Sequence, residues 1–195
     1  MSQENVEVVR KPLRVRERSS RTLDQWLFLR FPQLAAASSR WITKLPPTSR
    51  LRQAALWRAA RLALEAYNRR DLDASLVGYH PEFEIFPARA WVEAGLVEPC
   101  YRGPEGYRQY VVIWDEVWGE DSYLRPVELI DLGERFVILT QAPMRARASG
   151  VPLTGTFALV STLKDGTVIR QDEYWDHAEA LEAVGLSEQD AHAGS

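Results

Sequence analysis

Residues 164–176 read KDGTVIRQDEYWD, and the interpretation of this stretch decides the architecture of the chain. Asp165-Gly166 separates two strand-like runs, PLTGTFALVSTLK (152–164) and TVIRQDEYW (167–175). An Asp-Gly pair in that setting is a strong hairpin signal, because a tight two-residue turn needs positive φ that these residues tolerate. Successive strand side chains point to opposite faces, so Gln171, Glu173 and Trp175 share one face and Arg170, Asp172 and Tyr174 the other. Each set mixes polar with apolar residues, and periodicity leaves open which of them faces inward.

Outward from the hairpin the chain is β-rich. YLRPVELIDL (123–132), a turn at Gly133, RFVILTQAPMRARA (135–148) and a turn at Gly150 complete an antiparallel meander, and AEALEAVGL (178–186) closes it as a short helix stopped by Gly185. Upstream, Gly103-Pro104 starts a helix in which Tyr107, Tyr110, Trp114 and Trp118 recur every three to four positions, a stripe that suits either a core or the wall of a ligand site. EFEIFP (82–87) is the first clear strand, followed by the irregular ARAWVEAGLVEPCY (88–101). Asp71 caps a short helix ended by His80-Pro81, and Thr48 or Ser49 caps a longer one through residues 51–70, with Leu51, Ala55, Leu62 and Ala66 near one face. Before these, TLDQWLFLRFPQLAAASSRWITKLPPTSR (22–50) is divided by Pro32 and Pro46-Pro47 into two short helices. The order predicts an α+β fold, a curved and mostly antiparallel sheet over helices, with a helical amino-terminal appendage.

At 195 residues and 46% hydrophobic composition the chain can bury one sizeable core. The expected division is a basic helical extension over 1–55, an α+β domain over 56–186 and a disordered tail over 187–195. No apolar run reaches the ~20 residues of a bilayer crossing, and the polar start lacks a secretion signal, so the expected compartment is the cytoplasm. A single cysteine, Cys100, forms no internal disulfide, and His80, His177 and His192 lack metal-ligand spacing. No nucleophile elbow, glycine-rich phosphate loop or calcium loop is present, and no cofactor is expected.

Charge is unevenly distributed. Residues 1–70 carry fifteen Lys and Arg against five Asp and Glu, whereas residues 71–195 carry nine against twenty-two. The basic part can pack on the acidic body, or it can meet a partner protein or an anionic membrane through residues 11–55, where Trp26, Phe28, Phe31 and Trp41 stand among Arg21, Arg30 and Arg40. Nucleic acid is not an expected partner, since no recognition motif accompanies the charge and the acidic body repels phosphate.

Four segments, ALEAYNRRDLDASLVGYHPEFEIFP (63–87), YRGPEGYRQYVVIWDEVW (101–118), VELIDLGERFVIL (127–139) and LKDGTVIRQDEYWDHAEALEAVGL (163–186), together resemble the SnoaL-like branch of the nuclear transport factor 2-like superfamily. The likeness covers about residues 60–186, and residues 11–55 look like an insertion. It implies a cone-shaped α+β barrel enclosing an apolar pocket for a small hydrophobic molecule, often in a homodimer. Members include polyketide cyclases, isomerases, hydrolases and non-catalytic binding modules, so fold alone does not choose a reaction.

The resemblance also allows residue-by-residue tests. The ketosteroid isomerase pattern would place its tyrosine at Ala63 and its base at Phe86, so that mechanism lacks its groups here. The epoxide hydrolase pattern keeps one acid, at Glu173, while its arginine and second acid fall on Thr140 and Ala142. The resemblance favours the Glu173 face as interior, with Thr140, Ala142, Met144 and Ala146 on the neighbouring strand and Arg145 and Arg147 outward. Tyr67, Ile85, Trp114, Thr140, Ala142, Gln171 and Trp175 are then the expected lining. In an apolar cavity Glu173 would be pushed towards neutrality and suit proton transfer; its alternative role is a buried acid satisfied by a tyrosine, tryptophan or arginine. His80 is the second candidate proton carrier, with a turn-fixing hydrogen bond as its alternative.

Overall fold

The computed structural model describes residues 20–119, 122–145 and 152–187. In chain order these form α1 (Leu23–Arg30), α2 (Pro32–Thr43), α3 (Arg50–Asn68), α4 (Leu72–Ser75), β1 (Tyr79–Phe86), α5 (Arg89–Glu93), β2 (Tyr101–Arg102), α6 (Gly103–Trp118), β3 (Arg125–Asp131), β4 (Arg135–Arg145), β5 (Pro152–Lys164), β6 (Thr167–Tyr174) and α7 (His177–Ala183). The strands make one open six-stranded sheet in the order β2-β1-β6-β5-β4-β3. All pairs are antiparallel except β1 with β6, which run parallel. The expected turn at Gly150, Ala146, Arg147 and residues 188–195 of the tail lie outside the described residues, as do residues 1–19 of the extension and the side chains of Met144 and Arg145.

The inner face of the sheet packs against α3 and α6. Phe83 and Ile85 of β1, Phe136, Ile138 and Ala142 of β4, and Phe157 and Leu159 of β5 meet Leu64 and Tyr67 of α3 and Tyr110 and Trp114 of α6. On the outer face α7 covers Val137, Leu139, Ala158 and Val160 through Ala180. Both faces of β4 and β5 are therefore buried in part, which explains their near-continuous apolar character.

Local chemistry accounts for most boundaries. Ser49 caps α3 through Arg52 N, and Asp71 caps α4 through Ala74 N. Pro32 and Pro104 occupy the first turns of α2 and α6, where a missing N–H costs nothing. Two expectations shift. α4 stops at Ser75 and the chain turns at Gly78, with φ of 97°, so β1 starts at Tyr79 and takes His80 and Pro81 into its first residues instead of ending a helix there. In α3 the buried residues are Arg52, Leu56, Ala60, Leu64, Ala66 and Tyr67: Ala66 is buried as expected, Ala55 and Leu62 are half-buried, and Leu51 is exposed. Arg52 is turned inward, and Leu51 outward, because the extension supplies acceptors for a buried arginine.

That arginine ties the extension to the body. Arg52, 2% exposed, forms a two-pronged ion pair with Asp131 at 2.6 and 2.8 Å, and donates to the carbonyls of Thr43, Leu45 and Gly133. It thereby joins the end of α2 to the β3–β4 turn. Further along, Ser39 donates to the Gly166 carbonyl, so α2 lies on the β5–β6 turn. Gly166 has φ of 81°, and a Cβ there would sit 2.5 Å from the Arg40 backbone nitrogen. α1 is held by Gln25, which donates to the Leu62 carbonyl, and by Arg21 and Asp24, which pair with Asp71 and Arg58. Over residues 20–55 the basic extension thus packs on its own chain. Among the described residues no helix is long and apolar enough to cross a membrane.

Candidate functional site

The alternation left open by the sequence is resolved by a bulge. Register shifts in β6 where Thr162 pairs with Arg170 and Leu163 with Val168, leaving Ile169 as the extra residue. From there Gln171 and Glu173 point inward and are buried, with Arg170 and Asp172 paired to each other on the outer side. Glu173, 7% exposed, accepts a hydrogen bond from the Tyr110 hydroxyl at 2.5 Å and another from Gln171 Nε2 at 2.9 Å. The Gln171 carbonyl accepts in turn from the Tyr79 hydroxyl at 2.5 Å. One polar chain therefore runs Tyr79, Gln171, Glu173, Tyr110 through an otherwise apolar interior.

Beside this chain lies a narrow cleft of about 50 Å³ that opens to solvent. Its polar lining is Tyr67, Ser75, Tyr79, Tyr107, Tyr110, Gln171 and Glu173, and its apolar lining includes Leu64, Trp114, Leu124, Phe157 and Leu159. Tyr107 and Ser75 bond each other at 3.2 Å, while among the described residues nothing bonds the Tyr67 hydroxyl. α3 brings Tyr67 and α6 brings Tyr107, Tyr110 and Trp114 to the same space; the three α6 positions lie three and four apart and so share a helix face.

Burial dominates the electrostatics. Desolvation pushes Glu173 up to about 7 from the ordinary 4.5, against the opposing pull of hydrogen bonds from Tyr110 and Gln171 to its charged form. The same loss of solvent raises the tyrosine hydroxyls of residues 67, 79, 107 and 110, which therefore keep their protons and can donate. The site thus holds one acid poised near neutrality among weakly acidic donors.

Of the residues expected from sequence, Tyr67, Trp114, Gln171 and Glu173 meet at the cleft, and Ile85, Thr140, Ala142 and Trp175 do not line it. Thr140 and Ala142 do face inward and are fully buried, but β5 intervenes between their strand and β6, so Leu159 is the residue beside Glu173. The Thr140 hydroxyl is spent on the Phe157 carbonyl at 2.7 Å. Ile85 is core, and Trp175 stacks on Trp114 at 5.8 Å between ring centres. His80 lies in β1, where its Nδ1 accepts from Glu82 N at 3.1 Å, away from the cleft. Phe86 lies on the outer side under the Arg170 guanidinium. Among the described residues no group of three or more His, Cys, Asp or Glu could hold a metal ion.

Tyr79 and Ser75 were missed because both fell within the stretch read as a single helix. Tyr110 was visible in the aromatic stripe, and its spacing from Tyr107 and Trp114 was the signal that a polar tip could sit on that face.

No protein-family model matches the sequence, and no curated protein matches it. Solved structures do. TerC, crystallised with polyporic acid, superposes with a TM-score of 0.55 at 24% identity, covering 65% of this chain and 95% of that one. An NTF2-like protein of unknown function from Burkholderia pseudomallei gives 0.55 at 23% identity, covering 67% and 97%. A proposed SnoaL-like polyketide cyclase from Jannaschia sp. gives 0.51 at 16% identity, covering 66% and 90%. About a third of the chain falls outside each match. With its open sheet wrapped over α3 and α6, the chain has the fold of the SnoaL-like branch of the nuclear transport factor 2-like superfamily.

Proposed function

We propose that the chain binds a small, largely apolar molecule carrying a carbonyl or hydroxyl oxygen, and transfers a proton to or from it through Glu173. The observation that carries this reading is a buried carboxyl group at the wall of a cleft, poised at about 7 and held in orientation by Tyr110 and Gln171. A carboxyl near the working pH serves as acid or base with little free-energy penalty in either direction. The neutral form can donate its proton to a ligand oxygen; the ionised form is already stabilised by two donors and can receive one. The Tyr67 hydroxyl, which lines the same cleft and has no hydrogen-bond partner among the described residues, supplies a second donor for the same oxygen. Without the arginine and second acid of the epoxide hydrolase pattern, the supported chemistry is a proton shift or a cyclisation more than a hydrolysis. That TerC, of the same fold, is crystallised with polyporic acid makes aromatic and polyketide-like compounds the first ligands to try.

Native mass spectrometry of the gently purified protein, beside Glu173→Gln, tests the reading. A retained small molecule, or a thermal shift with such compounds that weakens in the variant, supports it. Empty spectra together with no thermal shift across aromatic, polyketide and terpenoid ketones would sink it.

A further inference from the structure

We infer that α1 and α2 form a docking surface for an anionic lipid membrane. Both helices expose large apolar side chains to solvent. In α1 the exposed positions are Leu23, Trp26, Leu27 and Arg30, while Gln25 is the residue turned into the protein. In α2 they are Pro32, Gln33, Leu34, Ala37, Ser38, Arg40 and Trp41, and the joining Phe31 is exposed as well. Within them Leu23, Trp26, Leu27 and Arg30 in α1, and Leu34, Ala37, Ser38 and Trp41 in α2, follow the three-and-four spacing of a helix face. A soluble helix normally turns such a face to the core, and a contiguous exposed apolar face marks an interaction site.

Charge selects the occupant. Arg30, Arg40, Lys44 and Arg50 are exposed and form no ion pair among the described residues, whereas the acid of this segment, Asp24, is already paired with Arg58. Two acidic groups of the body that meet the extension, Asp71 and Asp131, are likewise satisfied by Arg21 and Arg52. The four exposed cations are therefore not neutralised by an ion pair within the described residues, although the exposed Asp165 adjoins Gly166 on which α2 rests. Tryptophan, leucine and phenylalanine exposed beside unpaired Lys and Arg is the chemistry of a segment lying in a headgroup layer, with indoles at the boundary and cations on phosphate or carboxylate headgroups. The Arg52 ion pair and the α2 contact with Gly166 hold these helices rigidly to the body, so the face is presented without an ordering cost.

Cosedimentation of the full chain with vesicles tests this. Vesicles of phosphatidylcholine and phosphatidylserine in equal parts should bind the protein at low salt, vesicles of phosphatidylcholine alone should not, and added salt should release it. Trp26→Ser with Trp41→Ser should weaken binding about tenfold or more, and Arg30→Glu with Arg40→Glu should do the same, both with unchanged thermal unfolding because all four side chains are exposed. The inference is overturned if the protein stays in the supernatant with anionic vesicles, or if binding survives the tryptophan variant. It is equally overturned if the wild type is a dimer that the tryptophan variant turns into a monomer, since the face would then cover a second copy.

Discussion

The Tyr110 hydroxyl and the Glu173 carboxylate meet across 2.5 Å inside the fold, and this bond joins α6 to β6 at the wall of the cleft. Its energetic meaning is opposed to that of its surroundings. Burial favours the neutral acid, the tyrosine favours the anion, and burial prevails.

Glu173→Gln should change how stability depends on pH. A carboxyl at about 7 in the fold against 4.5 in its ordinary state binds its proton more tightly when folded. Its contribution is therefore whole below the unfolded value and is lost as pH rises through the folded one, amounting to about 3 kcal/mol across that window. In urea titrations from about pH 5 to about pH 8, the variant should gain on the wild type by an amount of that order. A constant difference across the range would show that Glu173 does not titrate there.

Tyr110→Phe removes a donor to the charged form and should move the Glu173 titration further up. Carbon-detected magnetic resonance of the labelled side-chain carboxyl reads the midpoint directly, and an unmoved or lower midpoint would contradict the hydrogen bond. Above the midpoint the variant should also lose about 1–3 kcal/mol of stability, because the anion keeps one partner in place of two.

Arg52→Met should cost about 3–5 kcal/mol, since it leaves Asp131 buried and unpaired and strips a donor from three carbonyls. Adding Asp131→Asn should restore part of the loss, which denaturant unfolding of the single and double variants will show. A loss below about 1 kcal/mol in the single variant would mean that water replaces the guanidinium without difficulty.

Gly166→Ala should destabilise the chain by more than Gly95→Ala. Both glycines have positive φ, at 81° and 68°, so both substitutions carry about 1 kcal/mol of backbone strain. A Cβ at residue 95 meets nothing within 4 Å, whereas one at residue 166 strikes the backbone of α2. Amide exchange in residues 32–43 should quicken in the first variant and not in the second; equal behaviour would show that α2 does not rest on the turn.

What was legible in the sequence was whatever local chemistry dictates. The Asp165-Gly166 turn, the prolines at helix starts and the Ser49 and Asp71 caps all act within a few residues, and each marks the boundary expected of it. The inward direction of Glu173 was not local: it depends on the bulge at Ile169 and on which face α3 and α6 cover. The burial of Arg52 in place of Leu51 was hidden for a similar reason, since a buried arginine is intelligible only with Thr43, Leu45 and Asp131 assembled around it. Thr140 and Ala142 were placed on the right face but one strand too near, because alternation reports side and not neighbour.

The indoles of Trp91, Trp114, Trp118 and Trp175 form one group with ring centres 5.3 to 6.5 Å apart, and the planes of Trp114 and Trp175 differ by 7°. Chromophores that close do not absorb or emit as independent units: their transition dipoles couple, so the group should give a split ultraviolet circular dichroism band and quench its own fluorescence. Trp114 is also a wall of the cleft. A molecule entering there would tilt one member of the coupled set, and the chain's own spectrum would register its arrival without a label.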